Sequence, residues 1–196
     1  RGLDYDDPKW DDLLDELTYD EMENMIEFGG WNTAAIKSID KVETAECDGP
    51  AGVNNFMTQH YGTSYCVEVM LAQTWSKEIA EKFGEAMGQE FADIDNYGWY
   101  GPAMDTHRSA FGGRNFEYYS EDSVLSGIMA ANEIKGADEY GVYSYVKHFA
   151  LNDQETNRIY QLCLWSTEQA IRETYLKAFE IAVKEGHTGA VMDAHC

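Results

Sequence analysis

Lys147 and His148 sit near the end of an alternating run from Val142 to Phe149, and Asn152, Asp153, Gln154, Glu155, Asn157 and Arg158 follow within ten residues. A strand ending in two such side chains is aimed at a site. The amides, carboxylates and guanidinium beyond it offer hydrogen bonds in defined directions, as binding a ligand rich in hydroxyls requires. That combination points towards a carbohydrate. The plainer alternative is a strand followed by a solvated polar loop, since most charge runs are only surface.

A second cluster runs from Thr106 to Asp122, where Arg108 and Arg114 stand among Glu117, Glu121, Asp122 and four aromatic residues, beside the adjacent Gly112 and Gly113. Glycines let backbone approach a ligand closely. Tyr and Phe rings offer apolar faces to the C–H face of a sugar, and arginines fork onto hydroxyls or fix carboxylates. Arg108 and Glu117 are therefore further candidates. An internal salt-bridged loop, with Arg114 serving Glu117 or Glu121, is an equally good account of any single residue.

Composition narrows the ligand class. The chain has 196 residues, 44% hydrophobic, enough for one ordinary domain with a sizeable core. Fourteen Lys plus Arg against 36 Asp plus Glu leave a net charge of −22. Such a field repels phosphate backbones and anionic lipid, so nucleic acid and membrane surfaces are not expected partners. No apolar run approaches the roughly 20 residues of a spanning helix, and no signal peptide is visible, although a start at Arg1 leaves a leader, and with it the compartment, open. Cys47, Cys66, Cys163 and Cys196 show no Cys-x-x-Cys spacing and the five histidines no His-x-x-x-His pair, so neither a metal site nor a disulfide framework is expected, and no cofactor.

The elements that must position these residues alternate. After helices in the first forty residues, where Thr18-x-x-Glu21 forms a capping box before Met22 to Phe28, the pattern predicts strands at Lys41–Cys47, Val67–Thr74, Tyr97–Met104, Val142–Phe149 and Thr188–Ala194. Ser76 caps a helix carrying Ile79, Phe83, Met87 and Phe91 on one face. A second helix spans about Glu121 to Tyr140, and Ser166-x-x-Gln169 caps a third. Repeated strand-helix units imply parallel strands in a doubly wound sheet or a (β/α)8 barrel. No Gly-x-Gly-x-x-Gly turn supports the first. The barrel gathers Asp48, the 108–122 loop, Lys147-His148 and His195 on one C-terminal rim, where such folds place their sites. The expected class is thus α/β, a TIM-barrel-like fold with about five of eight strand-helix units, residues 1–40 leading into the partial barrel at 41–196.

The segments Asp48-Gly-Pro-Ala-Gly52, Leu71-Ala-Gln-Thr-Trp75, His107 to Asp122, Lys147 to Arg158 and Thr167 to Glu173 resemble, in order and spacing, the successive motifs of glycoside hydrolase family 3, the β-glucosidase family. The resemblance implies a pocket for a non-reducing terminal sugar, with Asp48 holding the hydroxyls farthest from the scissile bond. Arg114, Lys147, His148, Arg158, Met192 and His195 complete the implied pocket. Asn-Asp-Gln-Glu after Lys-His-Phe resembles the glucosidase branch rather than the N-acetylglucosaminidase branch, which carries Gly-His-Gly there. His195 stands where the family usually has Tyr, and Cys66 where Pro is common.

Retaining glycosidases need two carboxyl groups roughly 5 Å apart. The resemblance places the nucleophile, an Asp in a Ser-Asp-Trp-like motif, and the acid/base outside these residues, so no catalytic residue is expected within them. The expected ligands are β-linked glucosides or other small glycosides. A complete barrel needs about 250 residues, so the open edge at Thr188–Ala194 is expected to be covered by further chain or by another copy. The alternative is a non-catalytic carbohydrate-binding or self-assembling protein on the same fold.

Overall fold

A computed structural model of the protein describes residues 3–160 and 162–194. They form two compact units that divide between Glu46 and Cys47. In the first, α1 (Lys9–Asp15) and α2 (Tyr19–Glu27) bury no residue. The expected capping box is present. Glu21 N donates to Thr18 Oγ1 at 3.3 Å, and Thr18 N donates to Glu21 Oε2 at 3.0 Å. The backbone N–H groups of Thr18 and Ser38, both donating to the Glu21 carboxylate, hold that carboxyl down to about 2. Strand β1 (Asn32–Thr33) pairs antiparallel with the start of β2 (Thr44–Asp48).

The second unit carries the sheet. The end of β2 turns through Gly49 to Gly52 into the hairpin of β3 (Asn54–Asn55) and β4 (His60–Tyr61), which the sequence pattern did not announce. The apolar run Val67–Thr74, expected as a strand, is helix α3 (Glu68–Ala72) instead. Its buried residues Glu68, Leu71 and Ala72 recur at the i, i+3, i+4 spacing of one helical face, and so short a run cannot be assigned by periodicity. Helix α4 (Lys77–Asp93) starts where Ser76 Oγ accepts from Ile79 N. Phe83, Met87 and Phe91 are buried along it, while Ile79, expected on the same face, is exposed.

Strand β5 (Asn96–Tyr100) stops before Gly101-Pro102, shorter than the expected 97–104. Asp122 caps α5 (Ser123–Asp138) through Val124 N and Leu125 N, and β6 (Tyr143–Phe149) follows. The last helix is continuous from residue 168 to 186, built of α6 (Glu168–Ala170), a π segment Ile171–Tyr175, α7 (Leu176–Ile181) and a π segment Ala182–Gly186. Its cap is Thr167, whose Oγ1 accepts from Ala170 N, and not the expected Ser166. Strand β7 (Ala190–Asp193) closes the described sheet, in the order β4-β3-β2-β5-β6-β7. Strands β5, β6 and β7 run parallel, each joined to the next by a helix.

Helices α4 and α5 meet backbone to backbone. A Cβ at Gly84 would lie 1.9 Å from the Glu133 carbonyl oxygen, and one at Gly136 would lie 2.1 Å from that of Glu81. Only glycine permits this approach. The sheet packs on these helices through Phe91, Trp99, Met129 and Val146, with Phe179 of α7 in the same core, and Trp99 donates its indole N–H to Gly49 O at 2.9 Å.

Candidate functional site

Lys147 leaves β6 two residues before its end and is 2% exposed. An ammonium so buried needs a counter-ion, since an unpaired charge in a poorly solvated site is costly. Asp48, at the end of β2, supplies it: Lys147 Nζ donates to Asp48 Oδ1 at 2.7 Å, and the Asp48 side chain remains 39% exposed. The pair is thus buried on the cation's side and open on the carboxylate's. On the other flank Met192 stands opposite Lys147 in the β6–β7 register. His195, the remaining sequence candidate on this rim, lies outside the described residues.

His148 is buried beside Lys147, and Asp105 and Tyr118 hold it. Its backbone N–H donates to Asp105 Oδ2 at 3.3 Å, its ring meets Tyr118 edge to face, and its Nδ1 lies 2.8 Å from the Tyr118 hydroxyl. Burial pushes the Asp105 carboxyl up to about 7, against the opposing pull of the backbone N–H groups of His148, Asn152 and Leu151. Burial, with the Asp105 charge, likewise raises the Tyr118 phenol, which stays protonated.

From Tyr118 the contacts continue into the following loop. Asn152 Nδ2 donates to the Tyr118 oxygen at 2.8 Å and to Glu155 Oε1 at 3.1 Å, and Glu155 Oε2 lies 3.1 Å from Arg158. Arg114 approaches from the 106–122 loop. Its Nε donates to Glu117, which is buried, and its charge is felt by Tyr118 and Glu155. Burial opposes that charge, but the Glu117 carboxylate outweighs it and holds the guanidinium above its usual range. The close approach of the two loops explains the adjacent glycines, because a Cβ at Gly113 would lie 2.9 Å from Glu155 Cγ and one at Gly112 would lie 3.1 Å from Asp153 O.

Asp48 and Lys147 thus form one pair, and the neighbouring His148 begins a run of contacts through Tyr118, Asn152 and Glu155 to Arg158, beside the Arg114–Glu117 pair. Arg108 takes part in neither. Its guanidinium donates to the Tyr175 hydroxyl at 2.5 Å and lies over the Tyr175 ring, beside an open cavity of about 700 Å³ that Glu121, Asp122, Ser166, Ala170 and Thr174 also line. Asp105 and Tyr118 are not singled out by the sequence, whereas Asn152 is, as one of the polar groups that follow His148. Tyr118 lay within an aromatic-rich loop, but nothing local distinguished it from Tyr119, which instead donates to the buried Glu133. Among the described residues no group of three or more His, Cys, Asp or Glu could hold a metal, and no helix is long and apolar enough to cross a membrane.

Residues 44–196 match the model of the glycosyl hydrolase family 3 N terminal domain. The chain is 37% identical over 190 residues to beta-glucosidase A of Butyrivibrio fibrisolvens, covering 92% of this chain and 22% of that protein. It is 38% identical over 188 residues to beta-glucosidase B of Emericella nidulans, covering 93% of this chain and 22% of that one. Among solved structures, beta-glucosidase 3B from Thermotoga neapolitana in complex with glucose superposes with a TM-score of 0.81 at 37% identity, over 95% of this chain and 29% of that chain. The beta-glucosidase from Kluyveromyces marxianus in complex with glucose gives 0.84 at 31%, over 94% and 22%. The chain spans about a fifth of the length of these curated relatives.

Proposed function

The chain belongs to glycosyl hydrolase family 3, with the TIM-barrel-like α/β fold of that family's N-terminal domain, and on that premise we propose that it supplies the sugar-binding wall of a retaining exo-β-glycosidase acting on terminal β-glucosyl residues. The observation that carries this reading is the buried Lys147 ammonium bound to the half-open Asp48 carboxylate. A carboxylate whose one oxygen is fixed by a cation can accept from two neighbouring sugar hydroxyls with the other, while the buried ammonium keeps it ionised and oriented. Arg114, Arg158, His148 and Met192 complete the wall, and His195, the remaining candidate, lies outside the described residues. The relatives named beta-glucosidases, two of them solved with glucose, support glucose as the ligand.

In the retaining reaction a carboxylate attacks the anomeric carbon while a carboxylic acid protonates the departing oxygen, and water then releases the sugar from the covalent intermediate. We assign neither role within these residues. Glu117 is bound to Arg114, Glu155 to Arg158 and Asp48 to Lys147, which suits each to holding rather than attacking. Residues 41–196 act as the barrel part and residues 1–40 as the lead into it.

The test compares hydrolysis of an aryl β-glucoside by the 196-residue chain and by a polypeptide extended through a Ser-Asp-Trp segment. Activity is expected only in the extended form. Equal, metal-independent activity in the short chain would overturn the placement of the nucleophile. A stable oligomer with no affinity for glucose would favour a non-catalytic, self-assembling protein instead.

A further inference from the structure

We propose that Tyr118 is a positioning residue that fixes the tautomer of His148, so that the imidazole carries its proton on Nε2 and offers a donor to the sugar. The inference rests on the proposed sugar site for its ligand, but its logic is internal to five side chains and begins at Arg158. That guanidinium lies 3.1 Å from Glu155 Oε2, which makes Glu155 an acceptor. Asn152 places its Nδ2 3.1 Å from Glu155 Oε1 and 2.8 Å from the Tyr118 oxygen. An amide nitrogen has two hydrogens, one for each of these acceptors. Turning the amide over would set its carbonyl oxygen against the carboxylate, so its orientation is settled.

The Tyr118 oxygen is therefore accepting from Asn152, and its own hydrogen must go elsewhere. The phenol is 2% exposed, and its other partner is His148 Nδ1 at 2.8 Å. If that nitrogen carried a hydrogen, as it would in the other tautomer or in the imidazolium, two donors would face the phenol oxygen and the phenolic hydrogen would be buried without an acceptor. Buried polar hydrogens are rarely left so. Nδ1 therefore accepts, and the ring hydrogen sits on Nε2. Whatever meets Nε2 is bound through a lone pair, and a hydroxyl oxygen carries two.

The experiment is nitrogen NMR on the full-length protein with labelled histidine, the His148 signals being assigned by their loss in His148→Asn. In neutral solution His148 is expected to show a protonated Nε2 and an Nδ1 that is unprotonated and hydrogen-bonded. Tyr118→Phe should shift the Nδ1 resonance as its donor disappears and weaken glucose binding about tenfold, one hydrogen bond's worth. Asn152→Asp gives an independent reading, because a carboxylate there draws the phenolic hydrogen to itself and moves the ring hydrogen to Nδ1. A native His148 protonated on Nδ1, or a ring unaffected by both substitutions, would overturn the assignment. If the tautomer is as stated but glucose does not bind the native protein, the sugar reading fails and the assignment stands.

Discussion

The Lys147 ammonium and the Asp48 carboxylate meet at 2.7 Å although 99 residues separate them, and only the cation is fully buried. Removing one partner is therefore not equivalent to removing the other. Asp48→Ala leaves a charge in the interior and is expected to cost about 1–3 kcal/mol, below the range for fully buried pairs because water reaches Asp48. Lys147→Met removes the charge and should cost less. Urea midpoints of the two variants test this order, and both should lose glucose binding. A smaller loss for Asp48→Ala would mean that the pair does not neutralise Lys147.

Glu68 and Glu133 are fully buried, and Glu133 accepts from the Tyr119 hydroxyl. Burial raises both carboxyls, Glu133 to about 8 from 4.5, and the Glu133 charge raises Glu68 further. A raised carboxyl favours the fold in acid. Its stabilisation is complete below pH 4.5, where the unfolded chain is also protonated, and is lost as the pH climbs towards 8. Glu133→Gln should remove a slope of up to about 1.4 kcal/mol per pH unit between those limits, making the variant relatively more stable at pH 8 than at pH 5. Unfolding curves at the two pH values decide it.

At the α4–α5 contact, Gly136→Ala would place a methyl group 2.1 Å from the Glu81 carbonyl oxygen and 2.5 Å from Glu85 N. Backbone cannot yield as a flexible side chain can, so a loss of about 3 kcal/mol or more is expected. Gly141→Ala is the comparison: its Cβ would meet nothing within 4 Å, but its φ of +74° carries the left-handed cost of about 1–2 kcal/mol. Thermal melts should rank the first variant well below the second.

Two arginines from one loop should separate in their effect on sugar binding. Glu117 holds Arg114 near Tyr118 and Glu155, so Glu117→Gln, which keeps the shape and removes the charge, should weaken glucose binding about tenfold. Arg108 is engaged with Tyr175, and Arg108→Ala should change the affinity by no more than about twofold. Calorimetric titrations that reversed this order would move Arg108 into the pocket.

Much of this was legible in the sequence for physical reasons. The capping box at Thr18, the Ser76 cap, the period of Phe83, Met87 and Phe91, and the alternation before Lys147 are local signals, and the structure shows each element. The failures were equally physical. Leu71 and Ala72 lie in a run too short to reveal its period, and Ser166 and Thr167 are both competent caps one residue apart. The side chains that could hold a polyhydroxylated ligand were visible by type. Their pairings were not, because Tyr118 and Asn152, like Asp105, act through bonds across 30 to 43 residues, and no spacing rule reaches that far.

The glycine contact between α4 and α5 also acts as a gauge. One of these helices leads into β5 and the other into β6, and β6 carries Lys147 and His148. With no side chains between them at Gly84 and Gly136, the two helices lack the compliance that interdigitated side chains normally give a packed pair. A thicker residue there cannot be absorbed locally and is passed on as displacement of the strands. Loss of affinity at the proposed sugar wall is therefore expected from substitutions at Gly84 and Gly136, which touch no ligand.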